Sequence, residues 1–94
     1  MNNADRNLNL VLGETVRNCR MVLEINTVEF SKALGKNAAY IRTLEQGLLE
    51  FTPTILKDCA RALNISVQEL MEIALGEAIL VAMGDIEESF AEAV

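Results

Sequence analysis

Few residues in this chain could do covalent or metal chemistry. It contains no histidine and only two cysteines, Cys19 and Cys59, which both fall on the apolar face of a predicted helix. Zinc sites need several Cys or His ligands and cysteine catalysis needs a base such as histidine, so neither is indicated. A nucleophile motif and a phosphate-binding glycine loop are also missing, which argues against an enzyme and against a cofactor. We expect both thiols to pack in the core, with a disulfide or a redox role as the alternative.

One short stretch, residues 27–46, has instead the pattern of a binding unit. Two runs of apolar residues with helical spacing meet there at Gly35, a residue type that ends helices in the left-handed conformation. Asn37 is a good cap for the second helix, whose outward face carries Arg42 and Thr43, side chains that can hydrogen-bond a base or a phosphate. Two short helices around a tight turn can place the second helix in the DNA major groove, so the stretch predicts a DNA-binding unit.

The charge distribution permits such a unit but does not favour it strongly. The net charge is -6, whereas nucleic-acid-binding domains are normally basic. Residues 1–47 carry a net charge of +1 and residues 48–94 a net charge of -7. The acidity therefore lies outside the half that contains residues 27–46, and a DNA-binding face would gain little from electrostatics.

Helical periodicity and capping residues predict an all-α fold of five helices. Residues 1–8 are polar and are expected to form a flexible arm, and residues 9–76 the folded domain. The predicted helices are about 9–23, 27–34, 38–46, 53–63 and 67–76, the last two capped by Thr52 and Ser66. Arg20 falls on the apolar face of the first helix, where an unpaired guanidinium would cost several kcal/mol, so it is expected to have a partner.

The order of these elements resembles the phage-repressor-like helix-turn-helix family, also called XRE or Cro-type. The resemblance covers about residues 12–70. Its most specific parts are the Leu34-Gly35 turn, the sequence Glu45-Gln46-Gly47 and residues 60–66 between the last two helices. In this family an arginine late in the first helix pairs with the glutamate that ends the third helix. The resemblance therefore implies a structural ion pair between Arg20 and Glu45.

The resemblance also implies a DNA interface on the second and third helices. The implied DNA-binding residues lie at the start of the second helix, at the start of the third helix and on its outward face. They are Thr27, Asn37, Ala38, Ala39, Arg42, Thr43 and Gln46. The chain departs from the family at Thr27, where glutamine is frequent, and in the loop after the third helix, which is usually polar. At least two of Leu48, Leu49 and Phe51 are expected to pack in the core or in a dimer contact.

Residues 77–94 extend beyond the minimal domain of the family. Their apolar residues recur at helical spacing, which predicts an amphipathic helix, with a short strand at 78–83 as the alternative. Such a helix packs either on its own domain or against a second copy. For the second case, the expected dimer-interface residues are Ile79, Met83, Ile86 and Phe90.

These features predict a sequence-specific transcriptional regulator. It is expected to bind double-stranded DNA with a palindromic operator, as a homodimer, with the third helix in the major groove. The alternative is an acidic protein-interaction module of the same fold, antagonist or antitoxin-like, that binds another regulatory protein. The first residues do not resemble a signal peptide and no apolar run reaches the ~18 residues of a membrane span, so a cytoplasmic protein without a membrane partner is expected.

Overall fold

The computed structural model describes residues 3–76, with side chains from residue 7 onward. Four helices have the bounds α1 Asn3–Val22, α2 Thr27–Leu34, α3 Ala38–Glu45 and α4 Pro53–Ala62. A fifth helix, α5, covers residues 67–76, and residues 3–76 include no strand. The predicted all-α fold is therefore confirmed. No helix in this part of the chain is long and apolar enough to cross a membrane.

The predictions for residues 77–94 lie outside the described residues. They are the amphipathic helix, its strand alternative at 78–83 and the dimer contacts of Ile79, Met83, Ile86 and Phe90.

Local capping explains where the later helices begin. The Oδ1 atom of Asn26 accepts a hydrogen bond from the backbone N–H of Glu29 at 2.8 Å, and Thr52 caps α4 in the same way at 3.2 Å. Ser66 and Glu69 form a reciprocal capping box, with distances of 3.0 and 3.3 Å. Each cap satisfies a backbone donor that the helix leaves unpaired, which stabilises the helix by ~1 kcal/mol.

The first helix begins earlier than the sequence predicted. It starts at Asn3 rather than about Asn9, so residues 3–8, which were assigned to the arm over residues 1–8, are helical. Asn9 lies inside the helix, is buried, and accepts a hydrogen bond from the backbone N–H of Phe51 at 3.1 Å. A polar contact to a distant loop holds this part of α1, and apolar periodicity does not detect such a contact. Adding turns to a helix that has already formed is easy.

The inner face of α3 packs into the core. α2 packs on both α3 and α4, and α1 packs on α3. The buried apolar residues are Leu12, Val16, Phe30, Leu34, Ile41, Leu44, Phe51, Ile55, Cys59, Ala60, Leu63, Leu70 and Ala74. Phe51 is buried, Leu49 packs against this core, and Leu48 is 65% exposed, so two of the three loop residues pack inward. Each large apolar side chain buried in this core stabilises the fold by ~1.5 to 3 kcal/mol. Because side chains of α3 are among them, their burial holds α3 in one orientation.

Two glycines set how α3 is placed against its neighbours. Gly35 has φ +67°, and its N–H donates to the carbonyl of Lys32, which ends α2 and turns the chain into α3. At Gly13 in α1, an added Cβ would lie 2.6 Å from the carbonyl oxygen of Glu45 and 2.7 Å from that of Leu44. The backbones of α1 and of the end of α3 are thus in direct contact, which brings α1 side chains beside the outer face of α3.

Candidate nucleic-acid interface

The outward face of α3 carries the residues predicted to bind DNA. Since Ile41 and Leu44 are fully buried, the opposite side of the helix faces solvent. Asn37, Ala39, Arg42 and Gln46 are exposed, whereas Ala38 and Thr43 are half-buried.

The hydrogen bonds within α3 determine what these side chains can still offer. The Oδ1 atom of Asn37 accepts from the N–H of Tyr40 at 2.8 Å as the helix cap, which leaves the Nδ2 group as a donor. The Thr43 hydroxyl donates to the carbonyl of Ala39 at 2.9 Å, so only its acceptor lone pairs remain. Arg42 is the one long charged side chain on the exposed face of α3, and it is the strongest candidate for base recognition.

A polar hollow of about 270 Å³ adjoins the C-terminal half of α3. It is lined by Arg17, Arg20, Thr27, Arg42, Glu45 and Gln46, which come from α1, α2 and the end of α3. The structure thus brings together Thr27, Arg42 and Gln46 among the predicted DNA-binding residues. Asn37, Ala38, Ala39 and Thr43 do not line it and lie on α3 itself or at its start.

Arg17 is a residue that the sequence analysis missed. It is exposed and lies in the same hollow as Arg42, although 25 positions separate the two in the chain. The sequence offered one indication of Arg17: it lies three residues before Arg20, and residues three apart are neighbours on a helix surface.

The Arg20–Glu45 ion pair forms the buried wall of this hollow. The Nε atom of Arg20 donates to Oε2 of Glu45 at 2.8 Å, and the Nη2 atom to Oε1 at 3.0 Å. The Nη1 atom donates to the carbonyl of Ile25 at 2.8 Å. The hydrogen bond to Glu45 raises the pKa of Arg20, and it outweighs the effect of burial, which would lower it. The structure therefore brings together the two residues that the resemblance paired.

The charge balance of the hollow is positive. It contains three arginines and one glutamate, and Arg20 and Glu45 neutralise each other. Arg17 and Arg42 remain as two exposed cations in the hollow, where they can meet anionic groups such as phosphates.

A further cation lies near the turn between α2 and α3. The Nζ atom of Lys36 lies 5.2 Å from the ring centroid of Tyr40, a cation–π contact. Burial, and to a lesser extent Cys59 and Asp58, raises the pKa of Tyr40, so its phenol is neutral at pH 7. The loop after α3 supplies little to an anion, because among its exposed side chains, Leu48, Glu50 and Thr52, only the Thr52 hydroxyl can donate a hydrogen bond.

The two cysteines do not form a disulfide with each other. Cys19 is half-buried and Cys59 is buried. Burial, followed by the nearby Asp58 and Glu45, raises the pKa of Cys59 to about 12, so this thiol stays protonated and unreactive at neutral pH. Residues 3–76 contain no group of three or more His, Cys, Asp or Glu side chains that could hold a metal ion.

Comparison with known proteins gives two kinds of similarity. A family model described as helix-turn-helix matches residues 20–70. No curated protein matches the sequence significantly. Two solved structures of the clp gene regulator ClgR from Corynebacterium glutamicum are similar. One has a TM-score of 0.81 and 25% identity over 92% of this chain and 93% of that chain. The other has a TM-score of 0.71 and 27% identity over 74% of this chain and 91% of that chain.

Proposed function

The chain belongs to the XRE-type helix-turn-helix family, and on that premise we propose that it is a transcriptional regulator that binds double-stranded DNA sequence-specifically. It binds a palindromic operator as a homodimer, with α3 in the major groove. The observation that carries the proposal is the polar hollow, where Arg17 and Arg42 are exposed beside the outward face of α3. The structural similarity to ClgR, a gene regulator, supports a regulatory role rather than an enzymatic one.

Base recognition falls mainly to Arg42. Its guanidinium can donate two parallel hydrogen bonds to O6 and N7 of a guanine, the commonest specific contact in the major groove. Ala38 and Ala39 can contact only the methyl group of a thymine, and Asn37 can donate through Nδ2. The direct backbone contact at Gly13 and the buried side chains of Ile41 and Leu44 keep α3 rigid, so Arg42 is presented from a fixed helix.

Phosphate contacts position the domain on the duplex. Arg17 projects from α1 into the hollow, and Thr27 lies there at the start of α2. A guanidinium and a hydroxyl are typical phosphate donors, and such contacts set register without reading sequence. The buried Glu45 does not repel a phosphate strongly, because Arg20 neutralises it through two hydrogen bonds.

A dimer is needed to reach a useful affinity. Two exposed arginines neutralise few phosphates, so a single domain should bind near the non-specific range of ~10⁻⁴ to 10⁻⁶ M. A two-fold dimer doubles these contacts and places the two α3 helices ~34 Å apart, on successive turns of one face of the DNA. Residues 77–94, through Ile79, Met83, Ile86 and Phe90, are the proposed source of the subunit contact.

A gel-shift experiment on Arg42→Ala tests the DNA-binding proposal. The sites are first selected by the wild-type protein from random genomic fragments at low salt. Arg42→Ala should cost ~1 to 3 kcal/mol at one base position and relax specificity there. Arg61→Ala is the matched control, because it removes the same charge from α4, where Arg61 pairs with Asp58 on the surface.

Three outcomes of this experiment are informative. Unchanged binding of Arg61→Ala together with relaxed specificity of Arg42→Ala supports base readout. Uniform weakening of Arg42→Ala across all sequences would show that Arg42 contacts a phosphate instead. If the wild-type protein retards no DNA fragment even at low salt, the DNA-binding proposal is wrong.

The last of these outcomes would favour the second candidate, an acidic module that binds another regulatory protein. The observation behind it is the loop after α3, where Leu48 is 65% exposed and followed by the exposed Glu50. An apolar and acidic loop is poorly suited to a phosphate backbone and better suited to a protein surface. A Leu48→Ser variant should lose such a partner while keeping the fold.

A further inference from the structure

The side chain of Tyr40 lies on the opposite side of α3 from that of Arg42. The two residues are two positions apart, and each residue of an α-helix advances by ~100°, so their side chains point in nearly opposite directions. Arg42 lines the polar hollow beside α1 and α2. Tyr40 is half-buried, packs against the core and lies near Asp58 and Cys59 of α4. The exposed face of α3 therefore has two different edges, one formed by the hollow and one by Tyr40.

Lys36 carries a positive charge at this second edge. It is exposed in the turn before α3, and its Nζ atom lies 5.2 Å from the centroid of the Tyr40 ring. A cation over a ring face is attracted without using its hydrogen bonds, so the three donors of the ammonium group remain available. Lys36 takes part in neither of the two ion pairs within residues 7–76. The ring thus holds a cation beside the start of α3 that can still bind an anion.

The surroundings of Lys36 also favour an anion. The positive end of the α3 dipole lies beside it, because α3 begins two residues later at Ala38. The acidic residue near Tyr40, Asp58, accepts a hydrogen bond from the Nη2 atom of Arg61 at 2.9 Å. This pairing partly neutralises the Asp58 carboxylate, so it repels an anion at Lys36 less than an isolated carboxylate would.

An α-helix fills the major groove of DNA from side to side. The groove is ~12 Å wide, and an α-helix with its side chains is ~10 to 12 Å across. The two edges of a helix placed in the groove therefore face the phosphate backbones of two different strands. With α3 in that position, Arg17 in the hollow faces one backbone and Lys36 faces the other.

We propose that Lys36 contacts a phosphate on the strand opposite to the one that Arg17 contacts, and that Tyr40 is the positioning residue that holds Lys36 there. Contacts to both backbones keep α3 centred in the groove, whereas contacts to one backbone alone would let the helix tilt. The inference rests on the DNA binding in the proposed function and adds the strand that each cation contacts.

Ethylation interference on DNA fragments selected by the wild-type protein tests this assignment. An ethyl group neutralises a single phosphate, so a loss of binding identifies each contacted phosphate and its strand. Within one half-site, Lys36→Ala should abolish interference on one strand and Arg17→Ala on the other. Each variant should also lower the slope of log K against log salt by ~1 per subunit. Lys57→Ala is the matched control, because it removes an exposed lysine from α4, and it should change neither readout.

Two changes at Tyr40 test its positioning role. Tyr40→Phe keeps the ring and should bind DNA like the wild type. Tyr40→Leu keeps an apolar side chain but no ring, and it should weaken binding roughly two- to fivefold, which corresponds to an exposed cation–π contact of ~0.5 to 1 kcal/mol. In the Lys36→Ala background the same change should have no further effect, because the cation is gone. A further loss there would show that Tyr40 acts through the fold and would overturn its positioning role.

The strand pattern decides the inference. Interference lost on opposite strands in Lys36→Ala and Arg17→Ala supports it. An unchanged pattern in Lys36→Ala, losses of both variants on the same strand, or an equal loss in Lys57→Ala would overturn it and leave the regulator proposal standing. Relaxed specificity of Lys36→Ala at one base position would also overturn it, since Lys36 would then contact a base. A wild-type protein that retards no fragment at low salt would instead refute the DNA-binding proposal itself.

Discussion

Replacing Arg20 by methionine removes three hydrogen bonds at once. The guanidinium donates twice to Glu45 and once to the carbonyl of Ile25, all within 3.0 Å. Methionine retains an unbranched apolar stem that can fill the same space. The Glu45 carboxylate, whose side chain is 6% exposed, is then left in the interior without its bonded cation. Glu45→Ala creates the opposite case, a guanidinium that is 11% exposed and keeps only its hydrogen bond to the carbonyl of Ile25.

The expected loss of stability is large for a domain of this size. Removing one member of a buried ion pair costs ~3 to 5 kcal/mol, because the other charge stays desolvated. Arg17 and Arg42 line the same hollow and can partly compensate Glu45, so Arg20→Met should fall near the lower value. A small domain has only ~5 to 15 kcal/mol of total stability. At ~4 to 8 °C per kcal/mol, a loss of ~3 kcal/mol lowers Tm by at least about 12 °C.

Urea unfolding followed by circular dichroism measures this loss. All proteins are compared at one concentration, since dimerisation contributes to apparent stability. Arg61→Met is the matched control, because Arg61 also pairs with an acidic residue, Asp58, but its side chain is 69% exposed. That pair should contribute no more than ~1 kcal/mol.

A double variant completes the cycle. Arg20→Met combined with Glu45→Ala leaves no stranded charge, so its loss should be well below the sum of the two single losses. An unchanged urea midpoint in Arg20→Met, or strictly additive losses in the double variant, would show that the two charges do not depend on each other and would refute the reasoning.

Three further outcomes are expected. Gly13→Ala should destabilise the fold by ~1 to 3 kcal/mol in urea unfolding, because the added Cβ would lie 2.6 Å from the carbonyl oxygen of Glu45. This loss should exceed the gain from the better helix propensity of alanine. A stabilised variant would contradict the close contact. Arg17→Ala should weaken DNA binding on all sequences alike and lower the slope of log K against log salt by ~1 per subunit, whereas a change at one base position would assign it to base readout. In the unfolded chain Cys59 loses its proton above its ordinary pKa of 9.0, whereas in the folded chain its pKa is raised to about 12. As the pH rises between these two values, the free energy of unfolding should fall by ~1.4 kcal/mol per pH unit. Cys59→Ala should remove this contribution, and an identical decline in that variant would assign it to other groups.

The parts of the fold that the sequence alone determined are those set by near neighbours in the chain. The bounds of α2 are as predicted, and the caps at Asn37, Thr52 and Ser66 form as expected, because a cap joins groups only three residues apart. Helical spacing identified the outward face of α3, and Ile41 and Leu44 on the opposite side are fully buried. Local geometry repeats in every helix, so the residue types and their spacing are enough.

Other features depended on residues far apart in the chain, and only the tertiary structure decided them. The sequence showed that Arg20 needs a partner, but the identity of that partner came from a family resemblance, and the structure places Glu45 there. The hydrogen bond that ties α1 to the loop after α3 joins Asn9 and Phe51, 42 positions apart, and was not predicted. Arg17 joins the polar hollow only because α1 packs closely on the end of α3. Periodicity tells which side of a helix faces inward, but the side chains that meet there are set by how whole helices pack.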